Sequence, residues 1–227
     1  MLTSEEVLKK ASLYDFEAVK DYLEAGGNKE VYDGTGRSLL TNLLEGYYLL
    51  VYREDPVEAQ IVTGHEDDDD FWDCHVHRLS RVPLDERPHK IKEQIEYLLS
   101  KGIGINAVGW EEAKAYQGEW PCVETPLFQA VVYHDYCMTE YLLKHGADPG
   151  QKLYSDGSYD RDGYEDWLLD EMDICILNGD RGDAGDNDVE IAALLMHYGL
   201  DQWGGGVCIH VDRKTRTITG HEPKYKF

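Results

Sequence analysis

Along most of this chain the apolar residues fall in short bursts at helical spacing, each burst ending in a polar corner. Thr3-Ser4-Glu5-Glu6 has the capping-box spacing and predicts a short helix to about Ala11. A turn near Tyr14-Asp15 follows, then a second helix through Val19, Tyr22 and Leu23. Leu43, Leu44 and Tyr47 predict a third helix reaching toward Tyr52, and Ile91, Ile95, Leu98 and Leu99 predict its partner much later in the chain. Thr125 can cap a helix whose first residue is Pro126, where a missing N–H costs nothing. After a polar corner comes a helix carrying Tyr141, Leu142 and Leu143. Trp167, Leu168, Met172 and Leu177 suggest one more helix, and Val189 to Tyr198 its companion. Beyond Gly204-Gly205-Gly206 the period changes to two. Val207 to Val211 and Thr215 to Thr219 alternate around Asp212-Arg213-Lys214 and predict a β-hairpin.

Four of these helices stop in the same way, with two large residues, two spacers and a glycine. The endings are Tyr22-Leu23-Glu24-Ala25-Gly26, Leu98-Leu99-Ser100-Lys101-Gly102, Leu142-Leu143-Lys144-His145-Gly146 and Leu195-Met196-His197-Tyr198-Gly199. A glycine there supplies the left-handed residue that ends a helix. The stretch Thr125 to Pro149, TPLFQAVVYHDYCMTEYLLKHGADP, resembles an ankyrin repeat, with Phe128 in place of the His of that family's TPLHxA box. Gly36-Arg37-Ser38-Leu39-Leu40 is a second copy of the corner, and Gly163-Tyr164-Glu165-Asp166-Trp167 occupies it with different chemistry. The resemblance implies a mostly α fold, an ankyrin-repeat α-solenoid of four stacked helix pairs with enlarged loops, in one domain. The units span about 3–27, 36–103, 125–149 and 163–201, with an insertion at 51–88 and a C-terminal hairpin cap at 206–220.

The closing glycines lie 76, 44 and 53 residues apart, against a family period of about 33. The array is therefore interrupted. Extra residues between units enlarge the edge where the family's β-turns project, and extra residues inside a unit enlarge the opposite edge. Trp110, Glu111, Glu112, Tyr116 and Trp120 are expected in an enlarged hairpin-type loop on the first rim, with Asp160 and Asp162. Asp67, Asp68, Asp69, Asp70, Phe71 and Trp72 are expected on the other rim, with Asp180 to Asp188.

Charge adds a direction to this picture. The net charge is −23, and two blocks hold nearly all of it: Glu54 to Asp73, with nine acids and no Lys or Arg, and Asp156 to Glu190, with thirteen acids against Arg161 and Arg181. Such a field repels nucleic acid and anionic membrane and attracts basic protein surfaces. Taken singly, an acidic run is also what keeps a surface solvated. Exposed Trp and Tyr are favoured interface anchors; the same rings can instead fold back to pin long insertions onto the helices. The ankyrin resemblance implies a scaffold without catalysis or cofactor. The expectation is a protein–protein interaction module for a partner with a basic surface, in its sharper form an immunity or antitoxin protein covering a cationic toxin such as a nuclease. The five scattered cysteines form no CxxC, no apolar run reaches membrane-spanning length, and no signal-peptide pattern opens the chain, so a cytoplasmic site is expected.

One stretch offers different chemistry. His65, Cys74, His75 and His77 are possible metal ligands beside the four aspartates, making a metal-binding protein or metal-dependent enzyme the alternative. Their spacing matches neither a zinc finger nor HExxH, and the same residues read as a strand with His75 and His77 on one face. Ser158 to Gly163 resembles the start of a calcium loop but has Ser at position one and Leu169 at position twelve. There is no GxSxG, P-loop or dinucleotide fingerprint.

Overall fold

Thr3 begins the first helix as its spacing predicts. In the computed structural model its hydroxyl accepts from the Glu6 amide (3.2 Å), and the Glu6 carboxylate accepts from the Thr3 amide (2.8 Å). That reciprocal pair satisfies two helix-end donors and holds the Glu6 carboxyl below its usual range. The structure describes residues 2–54, 79–115, 124–151, 185–199, 207–212, 215 and 217–223, and these are mostly helical. The helices are α1 (Ser4–Ser12), α2 (Phe16–Glu24), α3 (Leu39–Glu54), α4 (Ile91–Ser100), α5 (Trp110–Ala115), α6 (Pro126–Val132), α7 (Tyr136–Lys144) and α8 (Gly185–His197). No described helix is long and apolar enough to cross a membrane.

The corners repeat. Between α1 and α2, Tyr14 has φ +58°, and between α6 and α7, His134 has φ +52°. Each of these residues bonds back in the same way: Tyr14 to the Ala11 carbonyl and His134 to that of Val131, both at 2.9 Å. Lys90, just before α4, has φ +56°. Twelve residues after each of the three comes a left-handed glycine: Gly26 (φ +83°), Gly102 (+84°) and Gly146 (+92°). There the helix ends in a Schellman motif. The amides of Gly27, Ile103 and Ala147 reach the carbonyls of Tyr22, Leu98 and Leu142 at 2.9, 3.2 and 3.0 Å. Gly199 (φ +116°) ends α8, and its amide bonds the Met196 carbonyl (3.2 Å) as those of Gly26, Gly102 and Gly146 bond the carbonyls of Leu23, Leu99 and Leu143.

Those bonds set which residue faces the core. Tyr22, Leu98, Leu142 and Leu195, each four residues before its glycine, are buried. Leu23, Leu99 and Met196, one position later, are only half-buried, while Leu143 is buried. The seam thus runs one residue earlier than the two-apolar pattern suggests, because the Schellman turn packs its following residue against that earlier side chain. Among the first helices, α1 packs on α3 and α3 on α6; α7 contacts α8.

Several sequence expectations are corrected. Trp110 to Ala115 form a helix rather than a hairpin loop: the Ala113 amide bonds the Gly109 carbonyl (2.9 Å) and the Ala113 methyl is buried, which anchors a run of good helix formers. α3 runs to Glu54 with Val51 buried, so its last turn enters the stretch assigned to the insertion. α8 begins at Gly185, placing Asp186 and Asp188 in a helical first turn and not in a loop, a position that favours acids. The two strands have other bounds than the alternation gives: β1 (Val207–Asp212) pairs antiparallel with β2 (Thr217–Pro223), and a bulge interrupts the ladder at His210/Val211. Both strands contact α8.

Candidate functional site

Among the described residues, two surface turns lock together. Asp33 organises the first. Its Oδ1 accepts from the Thr35 amide (2.9 Å), the Thr35 hydroxyl (2.7 Å) and the Arg37 amide (3.0 Å), and its Oδ2 from Asn42 Nδ2 on α3 (3.1 Å). Tyr32 and Ser38 close the turn as a β-bridge. The second turn, ahead of α5, lies against the first: Arg37 bridges Val108, and the Gly109 amide donates to the Gly36 carbonyl at 2.9 Å. Both glycines are needed for the approach. A Cβ at Gly36 would sit 2.6 Å from the Gly109 carbonyl oxygen, and one at Gly109 would sit 2.6 Å from Tyr32 Cβ.

Arg37 fixes this pair to the helices. Its Nη1 bonds Glu45 on α3 (2.8 Å) and its Nη2 bonds Glu124, just before α6 (2.7 Å), all three side chains being about one-fifth exposed. Gln129 of α6 also donates to Glu124. Burial pushes the Glu124 carboxyl above its ordinary range, against the pull of Arg37. Tyr133 stands near the same acids, and burial lifts its hydroxyl to about 12.

An acidic, partly aromatic rim results. Glu30, Glu111 and Glu112 are exposed, while Tyr32, Asp33 and Trp110 are half-buried. A Cβ at Gly109 would also meet Glu112 Oε2 (2.7 Å), so this carboxylate of α5 stands by Tyr32, whose hydroxyl is raised first by burial and then by the charges of Glu30 and Glu112. Next to the rim, an open groove of about 490 Å³ runs between α1 and the first turn, lined by residues including Glu5, Leu8, Lys9, Tyr32, Asp33 and Asn42.

Of the residues singled out from sequence, Trp110, Glu111 and Glu112 lie in α5, and the structure brings Glu112 beside Tyr32. Tyr116, Trp120, Asp67, Asp68, Asp69, Asp70, Phe71, Trp72, Asp160 and Asp162 lie outside the described residues, as do His65, Cys74, His75 and His77. Among the described residues, no group of three or more His, Cys, Asp or Glu converges to hold a metal. Sequence reasoning missed Asp33, Arg37, Glu45 and Glu124. An Asp three residues ahead of a turn glycine was a usable signal for the first; the Arg37–Glu124 pair spans 87 residues and left none.

Compared with known proteins, the chain matches no family model, no curated protein and no solved structure.

Proposed function

We propose that this chain is a non-catalytic binding scaffold of ankyrin type that captures a protein with a basic surface through its turn rim and the adjoining groove. The observation that carries the reading is the rim itself. Two turns clamped by backbone bonds set Glu30 and, at the start of α5, Glu112 beside Tyr32, with Asp33 and Glu111 on the same elements and little left to order on binding. The repeated left-handed corner and glycine, twelve residues apart in three helix pairs, support a solenoid of helix pairs, and β1–β2 against α8 supports a hairpin cap. The net charge of −23 speaks against a nucleic-acid or anionic-membrane partner. In its narrower form the protein is a cytoplasmic immunity-type inhibitor that covers the active face of a cationic toxin such as a nuclease.

The test is a binding titration of a co-purified partner at low and high salt, against wild type and the double variant Glu111→Lys/Glu112→Lys. Rim charges act mainly on encounter, so the double variant should associate about tenfold more slowly at low salt and converge on wild type at high salt. Equal association rates at low salt would remove the rim from the reading.

A further inference from the structure

Residues Leu79 to Lys90 lie between α3 and α4 in sequence yet are bound to α7 and α8. Ser80 Oγ donates to the His134 carbonyl (2.7 Å) and accepts from the Tyr136 amide (3.1 Å), while the Ser80 carbonyl accepts from the Cys137 amide (3.0 Å). These are donors that the first turn of a helix cannot satisfy internally. The Arg81 guanidinium sits 4.3 Å over the Tyr136 ring and pairs with Glu190 of α8. Arg87 is the centre of the segment, and its side chain and that of Asp135 are both fully buried. Its Nε donates to the Val82 carbonyl (2.9 Å) and its Nη2 to that of Leu79 (2.7 Å), so the segment curls around its own guanidinium. The remaining fork meets Asp135, with Nη1 to Oδ2 and Nη2 to Oδ1 (2.6 Å). Asp135 also caps α7 through the Met138 amide (3.0 Å) and accepts from the Tyr48 hydroxyl of α3 (3.0 Å).

At its far end the His89 carbonyl accepts from the Tyr14 hydroxyl (3.3 Å) and from Gln94 Nε2 (2.9 Å), and Asp85 pairs with Lys92 (2.8 Å). Leu84 is its one buried apolar side chain, and Arg81, Pro83, Asp85, Glu86, Pro88 and Lys90 are exposed. Removing one partner from a buried, hydrogen-bonded ion pair leaves an uncompensated charge, a far larger loss than any surface contact here. We infer that Leu79–Lys90 is a strap whose main internal pin is Arg87, held by Asp135, which Tyr48 also bonds, and that this strap ties α8 and the start of α7 to α3 and can be released as a unit. A planar fork fits this receptor where an ammonium does not.

Amide hydrogen exchange on the full chain tests it. In Arg87→Ala, exchange over 79–90, the first turn of α7 and α8 should accelerate at least about a hundredfold, while α1 and α2 keep their protection. Millimolar ethylguanidinium should restore much of that protection in Arg87→Ala and have no effect on wild type, and Arg87→Lys should remain loose. Should Arg87→Ala not fold, Arg87→Met/Asp135→Asn, which leaves no unpaired charge, should fold with a loose strap and ignore ethylguanidinium. Unchanged exchange over 79–90 in either folded variant would overturn the pin. So would equal acceleration in α1 and α2, absence of rescue in a folded Arg87→Ala, or failure of both variants to fold.

Discussion

Gly46, inside α3, shows how one residue's surroundings can reverse its intrinsic preference. In a helix interior Gly→Ala ordinarily stabilises by roughly 1 kcal/mol. At Gly46 an added Cβ would meet the Ala11 and Ser12 carbonyl oxygens at 2.7 and 2.8 Å and the Tyr14 amide at 2.8 Å. All three are backbone atoms of the α1–α2 corner and cannot swing aside. Gly46→Ala should therefore destabilise by about 1–3 kcal/mol, measured by urea unfolding. Glu124 gives a pH-dependent counterpart. Its folded carboxyl titrates above the ordinary 4.5, so the folded state holds its proton more tightly than the unfolded chain. The stability this contributes is fully present below about 4.5 and fades as pH rises through the folded value. The melting temperature of wild type relative to Glu124→Gln should accordingly fall as pH rises above 4.5. At this scale the sequence was partly legible. The closing glycines announced themselves by their repeated neighbours, while Gly46 looked like an ordinary helix interruption, because the corner it touches is some thirty residues away in the chain.

Among the elements, α6 and α7 were the easiest to read, since Thr125, Pro126, Gly146 and Pro149 each carry a local cause for a start or a stop. α5 was not, because what makes it helical is the non-local bond of Gly109 to Gly36 and the burial of Ala113. The strap was invisible for the same reason: Arg87 and Asp135 are 48 residues apart, and an Arg beside Pro reads as surface. The seam makes a sharp prediction within α4. Leu98 is fully buried and Leu99 only half-buried. Leu98→Ala should cost about 3 kcal/mol and Leu99→Ala about 1 kcal/mol, compared by equilibrium unfolding. Equal losses would mean that the Schellman register does not set the core face.

Over the whole molecule, charge and architecture work together. The turn closed by Tyr32 and Ser38 lies against the turn ahead of α5, and carboxylates of both neighbourhoods, Glu30 and Glu112, stand near Tyr32. The acidity of the chain was plain from composition, but which acids share a surface was not, because Glu30 and Glu112 both come near Tyr32 where that ring packs on Gly109, some eighty residues away in the chain for Glu30. Hydrogen-exchange footprinting of the chain with its partner bound reads that surface directly. The account predicts slowed exchange in residues 30–36 and 108–113 and in the exposed side of α1, with the outer helices α2 and α4 unchanged. Protection confined to α2 and α4, with the turns exchanging as in the free protein, would contradict it.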